Sequence, residues 1–90
     1  MAYRIVLTKS TVKELGGLPL KIHDKIIEHL RQLEENPRIF GAEKLTAINA
    51  YKLRVGNYRI VYEISDSKNE VRVVMVDNRK QVYQRLRRKK

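Results

Sequence analysis

Lys52, Arg54 and Arg59 are the residues from which chemistry is most readily built, because they flank Gly56-Asn57 inside the run YKLRVGNYRIVY. A Gly-Asn pair between apolar-rich stretches reads as a two-residue β-hairpin loop. That loop sets Val55 against Tyr58, Arg54 against Arg59, Leu53 against Ile60 and Lys52 against Val61. Side chains alternate across a strand, so Lys52, Arg54 and Arg59 share one face. The other face collects Tyr51, Leu53, Val55, Tyr58, Ile60, Tyr62 and Ile64, joined by Val71, Val73 and Met75 from the next strand, and is expected to be the core side. A loop over Asp66 to Asn69 then pairs Ser65 with Glu70 and Glu63 with Arg72, which leaves no carboxylate to balance the three cations. Like charges directly opposite each other destabilise a sheet, so an anion such as a phosphate would complete the cluster. The competing account has long Lys and Arg stems splaying into water, where salt screens their repulsion; spacing alone leaves both open.

Other chemistries find little support. His23 and His29 fall on different sides of a helix and make a poor metal pair. There is no Gly-rich phosphate loop, no nucleophile elbow, no pair of carboxylates at a useful spacing, and no cysteine. No metal and no small-molecule cofactor is therefore expected. Charge points elsewhere: 20 Lys and Arg stand against 10 Asp and Glu, a net charge of +10. Residues 1–50 hold 8 basic and 6 acidic side chains, whereas residues 51–90 hold 12 and 4. A polyanion-binding surface should lie on the C-terminal half, with nucleic acid as the leading partner.

The elements that must position these residues follow from the pattern. Ninety residues are expected to make one domain, residues 1–90, around one modest core. Tyr3, Ile5 and Leu7 alternate as a first strand. Thr8 or Ser10 caps a short helix that Gly16-Gly17 ends. Ile22, Ile26, Ile27, Leu30 and Leu33 recur at helical spacing until Asn36-Pro37 stops the run. Residues 37–50 read as a long connection that Ile39, Phe40 and Leu45 pin to the core. Tyr51 to Val55, Tyr58 to Ser65 and Glu70 to Val76 form the remaining strands. The expected fold is α+β: an N-terminal strand, two helices forming a hairpin, a three-stranded antiparallel meander completing one sheet packed on the helices, and a short basic C-terminal helix or tail. The run Val73 to Val76 is far short of the ~20 apolar residues that span a bilayer. The N-terminus carries no apolar leader pattern, so the expected location is the cytoplasm.

The run from Tyr51 to Tyr62, followed by Asp77-Asn78-Arg79-Lys80-Gln81-Val82-Tyr83, resembles the RelE branch of the RelE/ParE toxin superfamily. The likeness extends over nearly the whole chain, because strand, two helices, meander and basic tail occur in the family's order. It implies a small toxin that enters the ribosomal decoding site and cuts messenger RNA there, blocked by a cognate acidic antitoxin, with no membrane involved. Carried over residue by residue, it makes Lys52, Arg54, Arg59, Arg79 and Tyr83 the catalytic set. Asn78 stands where the family often has His or Lys, and Arg54 where some members have lysine. Arginine keeps its charge and cannot act as a base, so both differences move the expectation toward electrostatic catalysis.

The implied reaction needs no metal: the ribose 2′-OH attacks its own 3′-phosphate, leaving a cyclic phosphate and a free 5′-OH. Guanidinium groups at Arg54, Arg59 and Arg79 would stabilise the charge that gathers on the phosphoryl oxygens. Lys52 and Tyr83 would move the protons, one as base and one as acid, in an order left open. Arg85, Arg87, Arg88, Lys89 and Lys90 are expected to meet ribosomal RNA backbone without reading sequence. Two alternatives remain: a ParE-like inhibitor of DNA gyrase acting by protein contact, and a non-catalytic RNA-binding relative.

Overall fold

The structure is a computed structural model that describes residues 2–39, 41–45 and 49–78. Its elements run β1 (Arg4–Leu7), α1 (Lys9–Gly16), α2 (Leu20–Glu35), β2 (Glu43–Lys44), β3 (Tyr51–Val55), β4 (Tyr58–Ser65) and β5 (Glu70–Asn78). The strands form one mixed five-stranded sheet in the order β1-β5-β4-β3-β2. β3, β4 and β5 are the expected antiparallel meander, and β1 lies parallel to β5 at the edge.

Local chemistry sets the boundaries. The Thr8 side chain accepts the Thr11 amide at 3.2 Å and starts α1, supplying an acceptor to an amide with no intrahelical partner. Pro19 caps α2 from outside, where its missing N–H costs nothing, and Asn36 ends it in extended backbone ahead of Pro37. Gly56 takes a φ of +60°, the positive value that a II′ hairpin loop requires at its first central position.

The main core lies between helices and sheet. Leu15, Ile26, Leu30 and Leu33 pack against Leu53, Val55, Ile60, Tyr62, Val71, Val73 and Val76, with Tyr3, Ile5, Leu7 and Ile39 at its margin. α1 packs chiefly on β5, and α2 crosses β1 and β3. The connection after α2 is not wholly irregular, because Glu43 and Lys44 pair with Lys52 and Tyr51 as a short edge strand. Leu45 does pack inward, but against a second cluster; Phe40 lies outside the described residues.

That second cluster corrects one expectation. Val61 pairs with Met75, while Tyr62 pairs with Val73, so Val74 is an extra residue in β5. A bulge of this kind reverses the side-chain parity beyond it. Met75 therefore leaves the helix face and joins Val61 and Ala50 on the opposite one, and Val76 takes its place in the main core. β5 runs on to Asn78, two residues past the expected end at Val76, and the shift sets Asp77 opposite Arg59.

β1 ends at Leu7, opposite Val73, and beyond that point α1 serves the exposed edge of β5. Thr11, fully buried, donates its hydroxyl to the Val73 carbonyl at 3.0 Å, and the Glu14 carboxylate accepts the Val76 amide at 3.2 Å. Backbone groups freed by the bulge and the short strand thus find side-chain partners.

Candidate nucleic-acid interface

The hairpin register is the expected one: Arg54 faces Arg59, Leu53 faces Ile60, and Lys52 faces Val61. Glu63 faces Arg72 and Ser65 faces Glu70, again as expected. Lys52, Arg54 and Arg59 consequently line one pocket of about 100 Å³ together with Gly41 and Glu43. At roughly 30 Å³ per water, that is space for about three water molecules or one small anionic group.

The three cations are held differently. Arg59 is only 7% exposed, and its one hydrogen bond among the described residues runs to the Tyr58 carbonyl at 3.5 Å. Arg54 is exposed, and its Nε donates to the Gly56 carbonyl at 3.2 Å, so the hairpin turn steadies the guanidinium. Lys52 is half-buried, with its Nζ 3.8 Å from the Glu43 carboxylate. Beside them on the same face, Val61, Met75 and Ala50 are buried. Apolar neighbours thin out the water around Arg59, so its field reaches a bound anion less screened than it would on an open surface.

The expectation of a cluster with no carboxylate nearby is therefore wrong in one respect. Glu43 reaches Lys52 from β2, and Asp77 faces Arg59 from β5. Neither was legible from meander parity: Glu43 lies in a stretch without periodicity, and the Val74 bulge moves Asp77 to this face. Arg79, Tyr83, Arg85, Arg87, Arg88, Lys89 and Lys90 lie outside the described residues. Among the described residues no group of His, Cys, Asp and Glu is placed to hold a metal, and no helix is long and apolar enough to cross a membrane.

A second charged group lies beyond the strand ends and is built in another way. Arg38 grips Asp66 through two hydrogen bonds of 3.1 and 2.8 Å, and the Tyr3 hydroxyl donates to the same carboxylate at 2.8 Å. These donors hold the Asp66 carboxyl below its ordinary range, the Arg38 bond first among them. The Arg38 guanidinium lies 5.9 Å from the Tyr51 ring centroid, and Tyr51 stacks on Tyr62 at 5.9 Å. Tyr62 is fully buried and donates to the Pro37 carbonyl at 2.7 Å; burial pushes its hydroxyl up to about 12.

This β-α-α-β-β-β-β fold is shared with toxins whose structures are known in complex with their antitoxins. The chain belongs to the RelE/ParE superfamily of type II toxins: residues 5–83 match the family model described as the ParE toxin of type II toxin-antitoxin system, parDE. It is 34% identical over 82 residues to the mRNA interferase toxin RelE of Escherichia coli K12, covering 88% of this chain and 85% of that one. The free-state structure of a double mutant of E. coli RelE superposes with a TM-score of 0.81 at 26% identity, covering 99% of this chain and 98% of that one. The toxin in the intact E. coli RelBE toxin-antitoxin complex gives a TM-score of 0.77 at 29% identity, over 86% and 96% of the two chains.

Proposed function

We propose that this chain, as a single toxin domain over residues 1–90, is a ribosome-dependent mRNA endonuclease that stops translation and is restrained by a cognate acidic antitoxin. The observation that carries the reading is the convergence of Lys52, Arg54 and Arg59 on one pocket. The name of the E. coli relative, an mRNA interferase, supports it, as do the toxin–antitoxin complexes among its structural neighbours. The site of action is the cytoplasm, where messages are translated.

In this mechanism the message enters the pocket with its scissile phosphate toward Arg54 and Arg59. The 2′-OH attacks the phosphorus, the P–O5′ bond breaks, and the products carry a 2′,3′-cyclic phosphate and a 5′-OH. Arg59, held in a poorly hydrated place by its neighbours, meets the charge developing on the phosphoryl oxygens without first shedding a water shell. Arg54 and Arg79 add to that field. Lys52 and Tyr83 take the 2′-OH proton and supply the leaving-group proton, one in each role. Arg85, Arg87, Arg88, Lys89 and Lys90 grip ribosomal RNA backbone, so binding weakens steeply with salt.

The test is to incubate the protein with translating ribosomes and map message ends. Codon-phased cuts ending in cyclic phosphate are expected. The label of the matching family model favours one second reading, a gyrase inhibitor acting by protein contact. Intact message together with inhibited gyrase would establish that reading in place of the nuclease, and neither effect would leave an RNA binder.

A further inference from the structure

We propose that Glu43 is the resident anion of the basic pocket, holding Lys52 and opposing an RNA phosphate until the message is presented by a larger body that adds contacts of its own. This rests on the reading of the pocket as the RNA-cleaving site and deepens it. β2 consists of two residues, and its pairing with β3 puts Glu43 directly across from Lys52. The carboxylate lies 3.8 Å from the ammonium and lines the same small pocket as both arginines. A second anion entering about 100 Å³ meets repulsion from the first as well as attraction from three cations.

The two partners differ in freedom. The Lys52 side chain is 18% exposed, whereas that of Glu43 is 71% exposed at the edge of the sheet. Glu43 is therefore the member that swings away, and Lys52 stays to meet the phosphate. Stray RNA, binding through one or two phosphates, must displace the carboxylate unaided. RNA already held by other contacts brings that displacement about as one small step in a larger association. A resident acid thus makes the pocket selective for presented message over free RNA.

The test uses a short 2′-O-methyl oligoribonucleotide, which has no 2′-OH to react, and fluorescence anisotropy at fixed low salt. Glu43→Gln should bind it about fivefold more tightly than the parent protein, the size of one unit-charge contact near 4 Å in water. Glu28→Gln on α2 changes net charge equally and should gain less than half as much. In a Lys52→Met background the gain from Glu43→Gln should shrink, because its partner is gone. Equal gains from Glu43→Gln and Glu28→Gln, or an undiminished gain without Lys52, overturn the proposal. So does a Glu43→Gln variant that binds no tighter yet cuts message at a vanishing rate, which would make Glu43 a proton carrier. Failure of the parent protein to cut message on ribosomes would instead sink the nuclease reading, and the binding comparison is independent of it.

Discussion

Two charged clusters, one on the strands of the sheet and one beyond their ends, are built on opposite plans. Around Asp66, one carboxylate is met by the Arg38 guanidinium and the Tyr3 hydroxyl, and every charge has its partner. Around Arg59, three cations crowd one small pocket with Glu43, and Arg54 faces Arg59 directly across the strands. The first arrangement ties the chain's N-terminal segment, the connection after α2 and the β4–β5 turn together. The second gives local stability away, since like charges opposed on a sheet repel. Charges that serve the fold are satisfied within it, and on the proposed reading the charges left in excess are the ones that receive RNA.

The largest effects should separate the clusters by activity. Arg59→Ala or Lys52→Ala should lower message cleavage on ribosomes by about 10²–10³-fold, the usual cost of removing a preorganised stabilising group in the first case and a proton carrier in the second. Urea unfolding of both variants should stay close to that of the parent, which distinguishes a site defect from a folding defect. Stability itself should rest on neither cluster but on the apolar layer between them and the helices. Leu33→Ala, at a fully buried position in α2, should cost about 2–5 kcal/mol by denaturant titration.

Tyr62 gives the next effect. Removing its hydroxyl in Tyr62→Phe strands the Pro37 carbonyl and should cost about 1–2 kcal/mol. It also alters the alkaline limb of stability. The folded state holds the Tyr62 proton to about 12, whereas an unfolded chain releases it near 10, so stability present below pH 10 falls as pH rises toward 12. Thermal melts across that window should show a shallower fall in Tyr62→Phe. The smallest effect belongs to Asp66→Asn on the solvated rim, where ion pairs contribute little. The Asp66 carboxyl is held below its ordinary range in the fold, so its contribution exists above the unfolded value and fades as pH drops through the folded one. Parent and Asp66→Asn melting curves should therefore converge in acid.

The parts of the molecule that local rules govern were legible in the residues alone. Gly56-Asn57 fixes the hairpin, and with it the meeting of Lys52, Arg54 and Arg59. The spacing of Ile22, Ile26, Leu30 and Leu33, ended by Asn36-Pro37, gives the end of α2 to the residue, while its first turn starts two residues earlier, at Leu20. What escaped depends on long-range pairing. Val73 to Val76 is an unbroken apolar run with no alternation to betray a bulge, so simple alternation puts Met75 on the core face, which Val76 in fact occupies, and gives Asp77 no place. A two-residue strand such as β2 has no period at all, which is why Glu43 entered the site only once β3 was there to receive it. Parallel pairing of β1 with β5 likewise joins segments more than sixty positions apart.

The central claim is that the unbalanced cluster acts on RNA while the balanced one only holds the chain. Parallel primer-extension mapping of message cut on translating ribosomes by the parent protein, Arg59→Ala and Arg38→Ala tests it directly. Codon-phased ends should all but vanish with Arg59→Ala and persist within a few-fold of the parent with Arg38→Ala, whose variant removes an equal charge. Equal losses in both variants, or loss with Arg38→Ala alone, would contradict the account.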